Sequence, residues 1–202
     1  MQSELYNKII PPVPSSVPRL GNRITRWLGR NLLSLMNWKV VGIFPDQPKL
    51  IVAAAPHTSN WDFVFAMLVV LASGVKISFL MKKEAFFWPL GNLFMRLGGI
   101  PLDRSATEDT VHQIIKWYRK NKKLWVVITP EGTRSKVEKW KTGFLRIAET
   151  ADVPVLLVAW DYPSKTLVLD KLWETTGDHV VDAENMRTHI NTHYLGRNPQ
   201  NQ

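Results

Sequence analysis

The chain contains no cysteine. Disulfides, cysteine-ligated metals and a cysteine nucleophile are therefore excluded, while the compartment stays open. Long apolar runs are also missing. The longest, Phe63–Ala72, has ten residues, whereas a spanning helix needs roughly 20. The opening MQSELYNKII leads into the Pro-rich PPVPSSVP instead of an apolar core, so neither a signal peptide nor a transmembrane segment is expected. There is no Gly-x-x-x-x-Gly-Lys loop for a nucleoside triphosphate and no Gly-x-Ser-x-Gly elbow for a serine hydrolase. No helix-turn-helix, zinc or RNA-binding signature occurs. Acidic residues are scarce beside basic ones: 17 Asp and Glu against 26 Lys and Arg, a formal charge of +9.

What is present suits one globular domain of 202 residues, 45% hydrophobic and 21% charged, large enough to bury a core without staples. A basic surface seeks an anionic partner: nucleic acid, anionic lipid, a nucleotide-bearing donor or an acidic carrier protein. Nine Trp favour water–lipid interfaces, where the ring is buried and its N–H stays wet.

Residues 1–18 read as an irregular arm, because Pro11, Pro12, Pro14 and Pro18 forbid a helix. On a helix over Arg19–Lys39, the residues Arg19, Arg23, Arg26 and Arg30 fall on one stripe. Leu20, Ile24, Trp27, Leu28, Leu32, Leu35 and Met36 fill the opposite side, and Leu33 intrudes on the basic stripe. That pattern fits a helix lying in an anionic membrane interface, and equally one covering the domain core. Beyond it, strands and helices alternate. Strands are expected at 39–44, 50–55, 77–81, 99–102, 124–128, 155–160 and 166–169, and helices at 60–72, 86–97, 107–121, 143–151 and 182–194. The implied class is α/β: a single domain with a mixed, partly parallel sheet flanked by helices, preceded by an N-terminal amphipathic helix.

Four segments carry chemistry. His57 follows a buried strand and Pro56, and Asp62 comes five residues later. One continuous helix would set the two about 140° apart. They meet if His57 lies in the strand-to-helix loop and Asp62 in the first helical turn, with Ser59 as N-cap. A carboxylate on one imidazole nitrogen leaves the other free as a base; a capping Asp beside an incidental loop His is the plain alternative. In Gly98-Gly-Ile-Pro-Leu-Asp-Arg104, the glycine pair allows close backbone approach, and Arg104 can grip a phosphate or pair with Asp103. Thr129-Pro-Glu131-Gly132-Thr133-Arg134-Ser135, after the strand at 124–128, makes an anion cradle or a turn with an ion pair. Val153-Pro154-Val155-Leu-Leu-Val158 is a core strand or a wall for an acyl chain. Thr176-Gly177-Asp178 forms a turn with no evident role. His112, His189 and His193 read as surface residues.

In this order and spacing the four segments resemble the lysophosphatidate acyltransferase family, which includes the glycerol-3-phosphate acyltransferases, across about residues 40–170. His57…Asp62 matches its catalytic His-x-x-x-x-Asp. Gly99-Ile-Pro-Leu-Asp-Arg104 and Pro130–Ser135 are similar to its acceptor-binding blocks, Lys82-Lys83-Glu84 to its lysine-bearing segment, and Val153–Val158 to its fourth block, with Leu157 or a neighbour where a second proline is usual. The resemblance implies residues 1–38 as arm and basic helix, with an acyltransferase domain at 39–202. It implies transfer of a fatty acyl group from acyl-coenzyme A or acyl carrier protein to the hydroxyl of a lysophospholipid such as lysophosphatidate. His57 would be general base and Asp62 its orienter. Lys82, Gly99, Arg104, Glu131, Gly132, Thr133 and Arg134 would bind substrate, with no metal or cofactor. The expected place is cytoplasmic, peripheral on the inner face of the cell membrane, at an anionic surface and without nucleic acid. The alternatives are a thioesterase and a non-catalytic basic lipid-binding protein of the same fold.

Overall fold

The computed structural model describes residues 9–87, 90–103 and 109–202. Its centre is β2 (Lys49–Ala55), in which every residue after the first is buried. Alternate side chains of β2 enter two separate cores, Ile51, Ala53 and Ala55 in one and Leu50, Val52 and Ala54 in the other. A strand covered on both faces reads as a continuous apolar run instead of an alternating one, and its small Ala residues let helices approach closely.

The remaining strands are β1 (Lys39–Gly42), β3 (Ile77–Lys82), β4 (Gly99–Leu102), β5 (Leu124–Ile128), β6 (Val155–Asp161) and β7 (Thr166–Trp173). They form one sheet in the order β1-β7-β6-β2-β5-β3-β4. Five strands from β6 to β4 are parallel, β7 runs antiparallel to β6, and β1 is parallel to β7. The mixed, mostly parallel sheet expected from the alternating pattern is therefore present. Helices α4 (Thr110–Lys120), α5 (Gly143–Ala151) and α6 (His179–His193) cover one face, and α1 (Arg23–Leu35) and α2 (Asn60–Ser73) the other. A short α3 (Leu90–Leu97) precedes β4. Among the described residues no helix is long and apolar enough to cross a membrane.

Several boundaries move for local reasons. The N-terminal helix spans Arg23–Leu35 instead of 19–39, because Asn22 caps it in a reciprocal box with Thr25 and satisfies its first free N–H groups. The last helix begins at His179, since Asp178 accepts from the N–H groups of Val180 and Val181. The amide of Thr176 donates to both oxygens of the buried Asp182. Capping thus gives the turn at 176–178 its role. The strand at 166–169 extends to Trp173, and a bulge at Leu157/Val158 interrupts its pairing with β6.

The orientation of α1 departs further from the plain core-covering alternative. Leu33, the residue that broke the basic stripe, is fully buried, and Gly29 is buried beside it. A Cβ on Gly29 would lie 2.5 Å from the backbone nitrogen of Ala72, so the glycine permits α1 and α2 to touch backbone to backbone. Arg30 Nε donates to the carbonyl of Ala72 at 3.1 Å and Arg19 to that of Ser73 at 3.4 Å. These carbonyls end α2, where a helix attracts cations. The apolar stripe points outward instead: Ile24 is 74% exposed, Trp27 56% and Leu35 80%.

Candidate active site

Parallel neighbours bring their carboxyl ends to one edge, the usual site position in such sheets. β2 ends at Ala55 and β5 at Ile128, in adjacent register with Ala53 opposite Ile128. The segments after them, Pro56–Asp62 and Thr129–Ser135, are thereby side by side.

His57 Nδ1 stands 3.0 Å from Asp62 Oδ2. Asp62 is fully buried in the first turn of α2. Burying a carboxylate is costly unless it is well hydrogen-bonded, and this one is. Oδ2 also accepts from the amides of Thr58 and Ser59, both at 2.9 Å, and Oδ1 accepts from the Tyr162 hydroxyl at 2.6 Å. Ser59 caps the helix, its Oγ accepting from the Trp61 amide at 3.2 Å. With Oδ2 as acceptor, Nδ1 carries the proton and Nε2 presents a lone pair. Nε2 has no hydrogen-bond partner among the described residues. The loop-plus-first-turn arrangement is thus the one that lets residues five apart meet.

Glu131 joins the third segment to the first. Its Oε1 accepts from the His57 amide at 2.9 Å, and its Oε2 is buried with no partner among the described residues. Burial pushes this carboxyl up to about 7; the His57 amide bond pulls the other way without cancelling it.

The other candidates lie around this pair. Lys82, at the end of β3, is exposed, as are Gly132, Thr133 and Arg134. Lys82 and Arg134 form no ion pair among the described residues. Asp103 pairs with Lys83 at 3.1 Å, while Arg104 lies outside the described residues. Gly99 is buried, and a Cβ there would meet the Phe94 carbonyl at 3.0 Å, Phe86 at 3.1 Å and Met81 sulfur at 3.2 Å. What this glycine approaches closely is protein. Val155–Val158 is buried across the two cores, which makes it a core strand. His112 and His193 are exposed, but His189 is half-buried and bonded to Asp170 at 2.6 Å.

Residues beyond the four segments complete the surroundings of His57. Tyr162 follows β6, and the carboxyl-edge rule that draws attention to the segments after β2 and β5 applies to it equally. The segment after α6 crosses the His57 loop. Asn198 brackets Thr58, donating its amide to Oγ1 at 3.2 Å and its side chain to the carbonyl at 2.9 Å. Arg197 lies over the Trp61 ring, 5.1 Å from its centroid.

The family model described as Acyltransferase matches residues 35–160, and the chain belongs to the acyltransferase family. Its fold is similar to that of the 1-acyl-sn-glycerophosphate (LPA) acyltransferase PlsC from Thermotoga maritima. The TM-score is 0.58 at 20% sequence identity, over 83% of this chain and 76% of that one. No curated protein matches the sequence.

Proposed function

We propose that the protein is a glycerolipid-type O-acyltransferase that moves a fatty acyl group from an acyl thioester to the hydroxyl of a lysophospholipid such as lysophosphatidate. The observation that carries this reading is the His57–Asp62 pair at 3.0 Å, with Nε2 unpartnered among the described residues, in a chain of the acyltransferase family. Nε2 takes the proton of the acceptor hydroxyl as its oxygen attacks the thioester carbonyl. Asp62 steadies the resulting imidazolium. The tetrahedral intermediate then expels the thiolate, which takes the proton back from His57, leaving ester and free thiol. Positioned general-base catalysis of this kind contributes typically ~10²–10⁴-fold, and no covalent enzyme intermediate is required.

Lys82, Arg104, Thr133 and Arg134 hold the acceptor phosphate in this reading. Gly132, at a positive φ, shapes the turn that carries Thr133 and Arg134, Gly99 is packed in the strand that leads to Arg104, and Glu131 fixes the His57 backbone. Acyl-coenzyme A and acyl carrier protein are both anionic donors suited to a chain of charge +9.

Thiol release from palmitoyl-coenzyme A, with and without lysophosphatidate, tests the reading in wild type and His57→Ala. Acceptor-dependent release that vanishes in the variant supports it. Release without acceptor indicates a thioesterase. Absence of release with either thioester donor and any of a panel of lysolipids indicates a non-catalytic lipid-binding protein.

The acceptor resides in a bilayer, and we place the protein peripherally on the anionic inner face of the cell membrane. The support is the outward apolar stripe of α1, together with exposed Trp61, Phe63 and Val64 on α2. Because Arg19 and Arg30 hold carbonyls of α2, the apolar stripe provides the larger part of the attachment. Ile24→Ser with Trp27→Ser should lower partitioning to anionic vesicles at least ~10-fold, given about 1.5–3 kcal/mol for each large side chain transferred from water. Unaltered sedimentation with vesicles would remove α1 from the contact.

A further inference from the structure

We propose that Tyr162 is a positioning residue for the His57–Asp62 pair, its hydroxyl fixing the Asp62 carboxylate and tempering how tightly that carboxylate holds the imidazolium. The proposal rests on the reading of His57 as general base.

Asp62 is shared between two tasks. Oδ2 takes His57 and the amides of Thr58 and Ser59, all within 3.0 Å. Oδ1 has a single partner among the described residues, the Tyr162 hydroxyl at 2.6 Å, a length typical of an O–H donor on a charged acceptor. Tyr162 cannot swing away easily. Its ring meets Trp38 edge-on at 5.0 Å and Phe65 at 6.1 Å, and those two rings stack at 4.0 Å. Its amide donates to the Leu195 carbonyl at 3.0 Å.

The segment that holds Tyr162 also holds the loop it serves. Three residues beyond Leu195, Asn198 brackets Thr58 from both sides. Gly196 packs so closely that a Cβ there would lie 2.7 Å from Thr58 Oγ1. Donor and acceptor of the Tyr162–Asp62 bond are thus referred to one stretch of chain. The charged groups around the pair are Glu131 at the His57 amide, Arg197 over Trp61, and Asp161, which accepts from the Leu195 amide. Burial and the adjacent Asp62 push the Tyr162 hydroxyl well above its ordinary value, so it remains a donor throughout the working range.

A hydrogen bond to a carboxylate draws charge from it. Without the Tyr162 bond, Asp62 holds the imidazolium more tightly, and His57 gives its proton to the departing thiolate less readily. Tyr162→Phe keeps the ring and removes the bond. Site-specific replacement of Tyr162 by 3-fluorotyrosine keeps the ring and strengthens the bond, because fluorine makes the phenol more acidic.

The imidazole titration of His57, followed by nitrogen-edited NMR on the free protein, is the measurement that decides. It needs no substrate, so a wrong reaction assignment leaves it intact. The midpoint should rise in Tyr162→Phe and fall in the fluorotyrosine protein, as expected when one of a carboxylate's donors is lost or strengthened. In turnover, Tyr162→Phe should lower kcat about 2- to 10-fold, the scale of one intramolecular hydrogen bond, with both KM values little changed. Should Tyr162→Phe fail to fold, the fluorotyrosine shift decides alone. A midpoint that stays put, or moves the same way in both proteins, overturns the proposal and leaves Tyr162 as packing.

Discussion

The two sides of the site are built on opposite terms. Around His57, the polar atoms are paired inward: Asp62 accepts four hydrogen bonds, Thr58 accepts two from Asn198, and Glu131 accepts the His57 amide. Around Lys82, Thr133 and Arg134 the side chains stand exposed, and among the described residues the Thr133 side chain makes one hydrogen bond, its Oγ1 accepting from the Ser135 amide at 3.3 Å. A proton must move along a bond held to fractions of an ångström, so that side is fixed before substrate arrives. A phosphate brings its own charge, and cations already neutralised by the protein would have little left to offer it. Rigidity belongs with proton transfer, and open charge with recognition.

Removing the hub of the fixed side should break the contrast most severely. Asp62→Ala leaves two amides and a half-buried tyrosine hydroxyl without their acceptor and takes the support from His57. Stability should fall by about 2–4 kcal/mol, the range for a disrupted buried network, and acyl transfer should fall ~10²–10⁴-fold. Urea unfolding and thiol release read the two effects separately. A variant as stable as wild type would mean that the network is not what holds this side.

The pair was legible in the sequence because it is local: strand, loop and first helical turn lie within eight residues of one another, and the capping pattern at Ser59 announces the turn. The strands were legible because a sheet covered on both faces needs unbroken apolar runs. Tyr162 and Asn198 were not, since they meet the loop across sequence separations of 100 and 140 residues. Those contacts depend on β6 lying beside β2, which no local pattern encodes. The orientation of α1 was hidden for another reason. Periodicity divides a helix into faces without saying which one turns inward. Here the decision rests on Gly29 fitting against Ala72 and on arginines reaching the end of α2, both properties of the partner helix.

A smaller effect should sharpen the contrast from the open side. Arg134→Gln removes a cation that no protein carboxylate uses among the described residues. The KM for a phosphate-bearing acceptor should rise about 10-fold, matching ~1.5 kcal/mol for a hydrogen bond to a charged group. The donor KM and the unfolding midpoint should stay within error. A fall in kcat with KM unchanged would move Arg134 from binding to the chemical step.

The smallest expected effect tests the boundary between the sides, at Glu131. Its carboxyl is raised to about 7 by burial, above its value in the unfolded chain, so the folded protein binds more protons between about pH 4.5 and 7. The sign follows: the contribution of Glu131 to stability is complete below the unfolded value and is lost as pH rises through about 7. Glu131→Gln keeps an oxygen for the His57 amide and places a neutral group where Oε2 has no partner. Wild-type stability should therefore decline relative to the variant from pH 5 to pH 8, by on the order of 1 kcal/mol once partial exposure is allowed for. Thermal unfolding of both proteins across that range is the measurement. Parallel curves would mean that Glu131 is already ionised in the fold and that water reaches Oε2. A wild-type curve that falls away above pH 6 would identify Glu131 as the buried acid that ties the Pro130–Ser135 segment to the His57 loop.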